Sequence, residues 1–297
     1  MKSSRWDAPE LNYRHIYHAG NACDAVKHAA LTLLIERLRE KEKPFAVLDT
    51  HAGAGLYALD DPRAKKTNEA EEGVRRLLAA PLLPGLNGYY KAVREANEAC
   101  PGKGLDGFRF YPGSPVLIRR LLRPQDRLMA CELHPEDARA LKRLFHGDKQ
   151  VQVHGRDGYE ALEALLPPPE KRGLVLIDPP FEKADEFDSL VQAVKTLNRK
   201  WPTGQGMIWY PVKDRPAVWR FHEALAAGGA ARILCAEFTQ FAEIRHDRLN
   251  GCGLIFVNPP WRLDRQLAQL FPALHERLRS PEPAWKAGWL AGDESSR

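Results

Sequence analysis

Apolar residues recur along this chain in two alternating rhythms. Ala25, Val26, Ala29, Ala30, Leu33, Leu34 and Leu38 fall at spacings of three and four, which predicts a helix with one apolar face. Asn21 or Asp24 stands where its cap belongs. Phe45-Ala46-Val47-Leu48 comes next, after Pro44, and runs at once into Asp49 and a glycine-rich turn. That run is too short for a helix and predicts a buried strand. Runs at 128–132, 151–154, 174–177 and 207–210 have the same character, and helix-like stretches such as 137–145, 158–165 and 187–197 lie between most of them. Strand and helix in alternation imply an α/β protein with a mostly parallel sheet.

Two intervals break the rhythm. Roughly 80 residues separate the first two strand runs, where a strand-helix-strand unit needs only ~30. Residues 57–113 or so, with helix-like stretches at 69–80 and 86–99, therefore read as a small helical insertion. Near the other end, 231–238 and 254–257 look like strands joined by a polar turn, which suggests an antiparallel pair closing the sheet.

Composition narrows the class. The chain has 297 residues, enough for a full core, and 44% are hydrophobic. Its five cysteines, at 23, 100, 131, 235 and 252, form no C-x-x-C pair, which argues against a zinc ribbon, a redox dithiol or a disulfide scaffold. The first residues carry no apolar targeting segment, and no run is long enough to span a membrane, so the chain reads as cytoplasmic. The net charge of +5 permits a nucleic-acid partner without demonstrating one. Arg119, Arg120, Arg123 and Arg127 are either phosphate contacts or a solvated helix face.

The chemistry gathers at strand ends. Asp49-Thr50-His51-Ala52-Gly53-Ala54-Gly55 forms a turn that lets backbone approach a ligand, and Gly53, Gly55 and Ala58 satisfy the dinucleotide pattern G-x-G-x-x-A. Glu132 ends the second strand run, placed to accept both hydroxyls of a ribose, and Asp157-Gly158 follows the third. Together they suit an adenosyl cofactor. The fourth run delivers Asp178-Pro179-Pro180-Phe181, the (D/N)-P-P-aromatic signature of amino-group methyltransferases. An exocyclic adenine nitrogen is a poor nucleophile; the Asp178 carboxylate and Pro179 carbonyl accept its hydrogens, and Phe181 stacks on the extruded base. Asp178, or water beside it, then takes the released proton.

A second match, Asn258-Pro259-Pro260-Trp261, follows a strand expected to run antiparallel, which puts Asn258 on the far side from the cofactor. His15, His18, His28 and His51 share no ligand spacing with a cysteine or carboxylate, so no metal is expected. Ser114 stands where it caps a helix or touches the ligand's polar tail.

Six ordered motifs carry a wider likeness. Tyr13-Arg14-His15 with His18-Ala19-Gly20-Asn21, Leu48 to Gly55, Tyr111 to Pro115, Glu132 to Pro135, Asp157-Gly158 and Ile177 to Phe181 together resemble the RlmJ family of 23S rRNA adenine-N6 methyltransferases. The resemblance runs from about residue 11 to 272. It implies a Rossmann-like class I fold with a seven-stranded sheet, an antiparallel last strand and a helical insertion. The implied donor is S-adenosylmethionine (SAM), giving S-adenosylhomocysteine (SAH), and the implied partner is 23S rRNA, protein-free or early in assembly, bound by a monomer. Cofactor contacts then fall on His28, His51, Ser114, Glu132, Asp157, Gly158 and Asp178; Asp178, Pro179 and Phe181 are catalytic, and Tyr13 touches RNA. Arg14 and Lys27 are further substrate candidates. The implied methyltransferase domain covers 12–279, with a leader at 1–11 and a tail at 280–297. Two departures stand out: the leader, and Phe181 where tyrosine is common. A DNA adenine methyltransferase, an NAD-dependent dehydrogenase and a non-catalytic RNA-binding subunit remain alternatives.

Overall fold

A computed structural model describes residues 14–79, 81–100, 108–230, 232–243, 245, 248–281 and 285–293. The leader and Tyr13 lie outside these residues. After a 3-10 turn at His15–Tyr17, helix α1 (Ala22–Arg39) begins at Asn21, whose side chain accepts the Asp24 amide. β1 (Ala46–Asp49) then enters the centre of the sheet.

The next stretch departs from the sheet. β2 (Leu56–Ala58), α2 (Pro62–Thr67), a π turn (Glu71–Arg75) running into α3 (Arg76–Leu78), α4 (Asn87–Glu98) and β3 (Phe110–Pro112) make up the insertion. It is not purely helical, because β2 and β3 pair antiparallel and close it at its base. The stretch expected as one helix over 69–80 is broken at Gly73, where φ is −107° and ψ −108°. Glycine serves at the break for a steric reason. A Cβ on Gly73 would stand 2.2 Å from the Gly20 carbonyl oxygen, and Val74 N–H donates to that same oxygen at 2.8 Å.

The main chain then alternates as α5 (Ser114–Leu121), β4 (Arg127–Cys131), α6 (Pro135–Leu144), β5 (Val151–His154), α7 (Gly158–Leu165), β6 (Gly173–Ile177), α8 (Glu186–Lys200), β7 (Gln205–Pro211) and α9 (Arg215–Ala227). β8 (Ile233–Thr239), β9 (Gly251–Val257), α10 (Leu263–Leu278) and β10 (Trp285–Ala291) complete it. The strand order is β10-β8-β9-β7-β6-β1-β4-β5. β5, β4, β1, β6 and β7 are parallel; β9 runs antiparallel between β7 and β8, and β10 antiparallel along β8. Among the described residues the sheet thus has eight strands where seven are expected. The extra one, β10, comes from the stretch read as a tail, whose Trp285-Lys286-Ala287-Gly288-Trp289 carries no strong alternation.

Helices cover both faces, which is why the central strands are apolar without interruption. Val47, Leu174 and Leu176 point into the layer of α1, α5 and α10; Leu48, Val175 and Ile177 point into that of α7, α8 and α9. From β1 the chain moves one way to β4 and β5 and the other way to β6 and β7. The crevice at such a switch point, beyond the carboxyl ends of the strands, is where open α/β sheets bind ligands. Asp49 and Asp178 stand at its two sides.

The Gly73 contact yields a test. Gly73→Ala is expected to cost about 1–3 kcal/mol in urea unfolding, because backbone must shift to admit the methyl. Gly288→Ala, with no atom within 4 Å of its would-be Cβ, is expected to stay within about 0.5 kcal/mol of wild type. Equal effects of the two substitutions would count against this account of the kink.

Candidate active site

One cavity of about 700 Å³ opens over the carboxyl ends of the parallel strands. Asp178, the residue after β6, lies on its wall. The Asp178 Oδ2 atom sits 2.5 Å from the Lys27 ammonium, and Lys27 is 2.7 Å from Asp24 Oδ1. Lys27 lies on α1 and is 4% exposed. Burial alone would push its pKa down, but Asp178 and Asp24 outweigh burial and hold it well above the usual lysine range. Lys27, a phosphate candidate in the sequence, is instead the buried counter-charge of the two carboxylates.

Asp24 is the hub beneath. Its Oδ2 accepts from the Gly20 amide at 2.9 Å and faces His15 Nε2 at 3.2 Å. Burial would raise its pKa, yet His28, Lys27 and His15 together hold it well below the ordinary carboxylate range. The buried carboxylate is ionised.

The adenosyl candidates line the other half. Gly53 has φ 62°, and the Tyr57 hydroxyl stands 2.2 Å from where its Cβ would be. Only glycine fits both conditions. Glu132, expected at the ribose, pins that turn: Oε2 accepts the Gly53 amide at 2.7 Å and Oε1 the His134 amide at 2.6 Å. Burial raises its pKa against those two bonds. Asp157 caps α7 through Oδ1, which accepts from Tyr159 and Glu160. Gly158 lies against Thr50, whose carbonyl oxygen would be 2.3 Å from any Cβ.

His51 Nδ1 is 2.8 Å from Thr50 Oγ1, which itself donates to the Leu176 carbonyl. The hydroxyl proton being used, His51 donates from Nδ1 and leaves Nε2 bare. Burial pulls its pKa down to about 4, so the ring is neutral. Ser114 is the first residue of α5, whose cap is Gly113; its hydroxyl donates to Asp49 Oδ2 at 2.6 Å.

On the far side of Asp178 the wall turns aromatic. Phe181 adopts a left-handed φ of 52° and meets Phe187 and Trp209 edge-on at 5.2 and 5.9 Å. Trp209, Lys213 and Arg248 extend this wall, and sequence reasoning singled out none of them. The structure therefore brings His28, His51, Ser114, Glu132, Asp157, Gly158, Asp178, Pro179 and Phe181 around one cavity.

Other candidates lie elsewhere. Arg14 pairs with Glu136 and Asp137 on α6, at 2.7 and 3.2 Å, and is not on the cavity wall. Arg119 pairs with Asp148, Arg123 with Asp126 and the carbonyls of Lys41 and Lys43, and Arg127 with Glu170. Arg127 opens β4, so these groups sit toward the amino ends of the strands, away from the cavity. Asn258 also lies there, its Nδ2 donating to the Pro202 and Gly204 carbonyls ahead of β7.

Ala58 lies in β2, so no helix follows Gly53 and Gly55 to receive a pyrophosphate, which removes the structural basis of the dinucleotide reading. Glu69, close to the dinucleotide spacing, binds His18 and Asn21 instead. His222, Cys235 and Glu237 bring potential ligand atoms within 4.8 Å of one another behind the sheet, but Arg215 and Lys286 already neutralise Glu237.

Comparison with known proteins follows this geometry. The family described as "Ribosomal RNA large subunit methyltransferase D, RlmJ" matches residues 42–291. The chain is 40% identical over 269 residues to "Ribosomal RNA large subunit methyltransferase J" of Escherichia coli, covering 90% of this chain and 94% of that protein. It is also 40% identical over 283 residues to the protein of that name from Haemophilus influenzae, covering 94% and 99%. A crystal structure of a protein from Legionella pneumophila superposes with a TM-score of 0.81 at 32% identity, covering 93% of this chain and 99% of that one.

Asp49 provides a pH test. Burial pushes its carboxyl up to about 7, with Ser114 opposing and Asp178 adding to the rise. The folded group keeps its proton to a higher pH than the unfolded one. Its contribution to stability is therefore complete below about pH 4 and is lost as pH rises through 7. Asp49→Asn is expected to remove up to about 1 kcal/mol per pH unit of that fall. Urea unfolding of both proteins at several pH values checks it, and parallel profiles would contradict the assignment.

Proposed function

The chain belongs to the ribosomal RNA large subunit methyltransferase family RlmJ, and from that membership we propose that it methylates N6 of one adenosine in 23S rRNA. The observation that carries this reading is the placement of Asp178-Pro179-Pro180-Phe181 at the switch point, with the Asp178 carboxylate fixed by a buried ammonium. The cavity fits SAM on its own evidence: a turn and a helix start where a Cβ would clash, carboxylates at Glu132 and Asp157, and the buried, unbonded His28 Nε2. When bound, the cofactor supplies an electrophilic methyl group on a sulfonium.

The residues of the chain do the rest. Glu132 accepts ribose hydroxyls with the lone pairs its two backbone amides leave free, and the second oxygen of Asp157 faces the adenine end. Gly53 and Gly158 admit the adenosyl group by having no side chain.

On the other side, Phe181 stacks on the target adenine, held at its angle by Phe187 and Trp209. Asp178 Oδ1 and the Pro179 carbonyl accept the two amine hydrogens. With both hydrogens engaged, the nitrogen pyramidalises and aims its lone pair at the methyl. Lys27 keeps the carboxylate from turning, so the alignment is set before substrate arrives, and positioning supplies much of the rate. After transfer the nitrogen carries an extra proton, which leaves to Asp178 or to water beside it.

Asp178 is recessed, with 15% of its side chain exposed. A base inside a rigid duplex does not reach it, which favours an unpaired or weakly paired adenosine in rRNA that is protein-free or early in assembly. Both halves of the cavity come from one chain, which supports action as a monomer. Among the described residues no helix is long and apolar enough to cross a membrane, and we place the enzyme in the cytoplasm.

Asp178→Asn is expected to lower labelled methyl transfer to protein-free 23S rRNA by roughly 10²–10⁴-fold while the protein stays folded. Asn258→Ala is expected to leave transfer intact. The reverse pattern would move the chemistry to the other motif. Mass spectrometry of rRNA from cells lacking the gene is expected to show one N6-methyladenosine missing; a full complement would refute the substrate.

A further inference from the structure

His28 is fully buried, and its two ring nitrogens face different neighbours. Nδ1 is 2.7 Å from the Tyr111 hydroxyl, which is 3.1 Å from the Tyr89 hydroxyl. Nε2 has no hydrogen-bond partner; it lies 3.5 Å from Asp24 Oδ1 in a residue that lines the cavity. Tyr89 belongs to α4 and Tyr111 to β3, so both are part of the insertion, and both are fully buried. A continuous polar path thus runs from the insertion to the wall of the cavity without passing through solvent.

The direction of that path follows from proton counting. Burial lowers the His28 pKa to about 3, so the ring is neutral and carries one N–H. Asp24 is ionised. A bare lone pair on Nε2 would face that carboxylate and be repelled, whereas an N–H there is attracted. The proton therefore sits on Nε2, and Nδ1 accepts from the Tyr111 hydroxyl. Tyr111, having given its proton to His28, accepts in turn from Tyr89. Reversing the chain would place the proton on Nδ1 and set two electron-rich atoms against each other in a buried site.

We infer that Tyr111, backed by Tyr89, is a positioning residue of the cofactor site, orienting His28 as an Nε2–H donor at the cavity. This rests on the SAM reading above. An N–H donor meets only an acceptor, and the acceptor of the donor's amino-acid tail is its carboxylate; the tail's ammonium has no lone pair to offer. The start of α5, at Gly113 and Ser114, lines the same cavity, and its positive end favours the same anion. His28 and α5 together set which end of the tail enters first. The insertion, remote from the methyl group in sequence, thereby acts on cofactor affinity.

The test uses the whole chain with ¹⁵N-labelled histidine, and His28→Asn identifies the resonances of His28. In the ligand-free wild type, long-range ¹H–¹⁵N correlation is expected to show the proton on Nε2 and a hydrogen-bonded Nδ1. Tyr111→Phe is expected to shift Nδ1 to its unbonded position and to weaken SAH binding about tenfold by calorimetry. Tyr89→Phe removes an equal hydroxyl from the same buried cluster without touching His28. It is expected to keep the Nδ1 hydrogen bond and to stay within about threefold in affinity. A wild-type proton on Nδ1 would overturn the inference, as would equal losses of affinity in the two tyrosine variants. Should Tyr111→Phe fail to fold, the wild-type and Tyr89→Phe spectra still decide the direction of the chain. A wild type that binds no SAH defeats the cofactor reading, a different failure from a reversed histidine.

Discussion

Two carboxylates share one buried ammonium, and the site is arranged around that fact. Asp24 and Asp178 come from distant parts of the chain, and Lys27 lies within ion-pair distance of both. Without the lysine, two anions would face each other in a poorly solvated crevice. Without Asp24, a cation on α1 would have only Asp178 for company. The triad leaves one net negative charge beside the cavity proposed to hold a sulfonium, so the charges of the proposed cofactor and the protein agree. The cost of burying three charges is offset by surrounding donors, the Gly20 amide and His15.

The insertion has a different character from the loop-like addition its position suggests. It is bolted to the start of α1 by Gly73 against Gly20, by Val74 to the Gly20 carbonyl, and by Glu69 to His18 and Asn21. These contacts reach the same turn that presents Asp24. A change in the insertion is therefore felt at the hub, through backbone and not through ligand contact.

Much of this was legible in the residue order, and the reasons are physical. Buried parallel strands announce themselves as short apolar runs, and acidic residues at strand ends mark the rim: Glu132, Asp157 and Asp178 line the cavity, while Asp49 is fully buried off its wall. The direction of β9 set Asn258 apart from Asp178 before any geometry was known. Where sequence reasoning missed, the missing quantity was a long-range contact. A lysine in a helix reads as exposed unless a carboxylate 151 positions away is known to meet it. The arginines at 119–127 stay open between phosphate contacts and a solvated helix face because their partners, Asp148, Glu170 and the carbonyls after α1, are not neighbours in sequence. Gly73 looked like an ordinary residue of a helix; only the apposed Gly20 carbonyl shows why no other residue serves. Tyr89 and Tyr111 are fully buried, and nothing in the sequence signals that their hydroxyls meet each other and His28.

The span between Lys27 and Asp178 also has a meaning in time. During synthesis α1 emerges first, carrying a cation and an anion already paired one helical turn apart. Four of the five parallel strands, β1, β4, β5 and β6, and the whole insertion follow before the second carboxylate exists. A nascent helix can thus pair Lys27 with Asp24 before the elements that bury them are made. β6 is recruited later, into a slot already primed with half of its counter-charge. The last ion to arrive is the one proposed to do the chemistry, so the candidate site closes only when the parallel sheet is nearly complete.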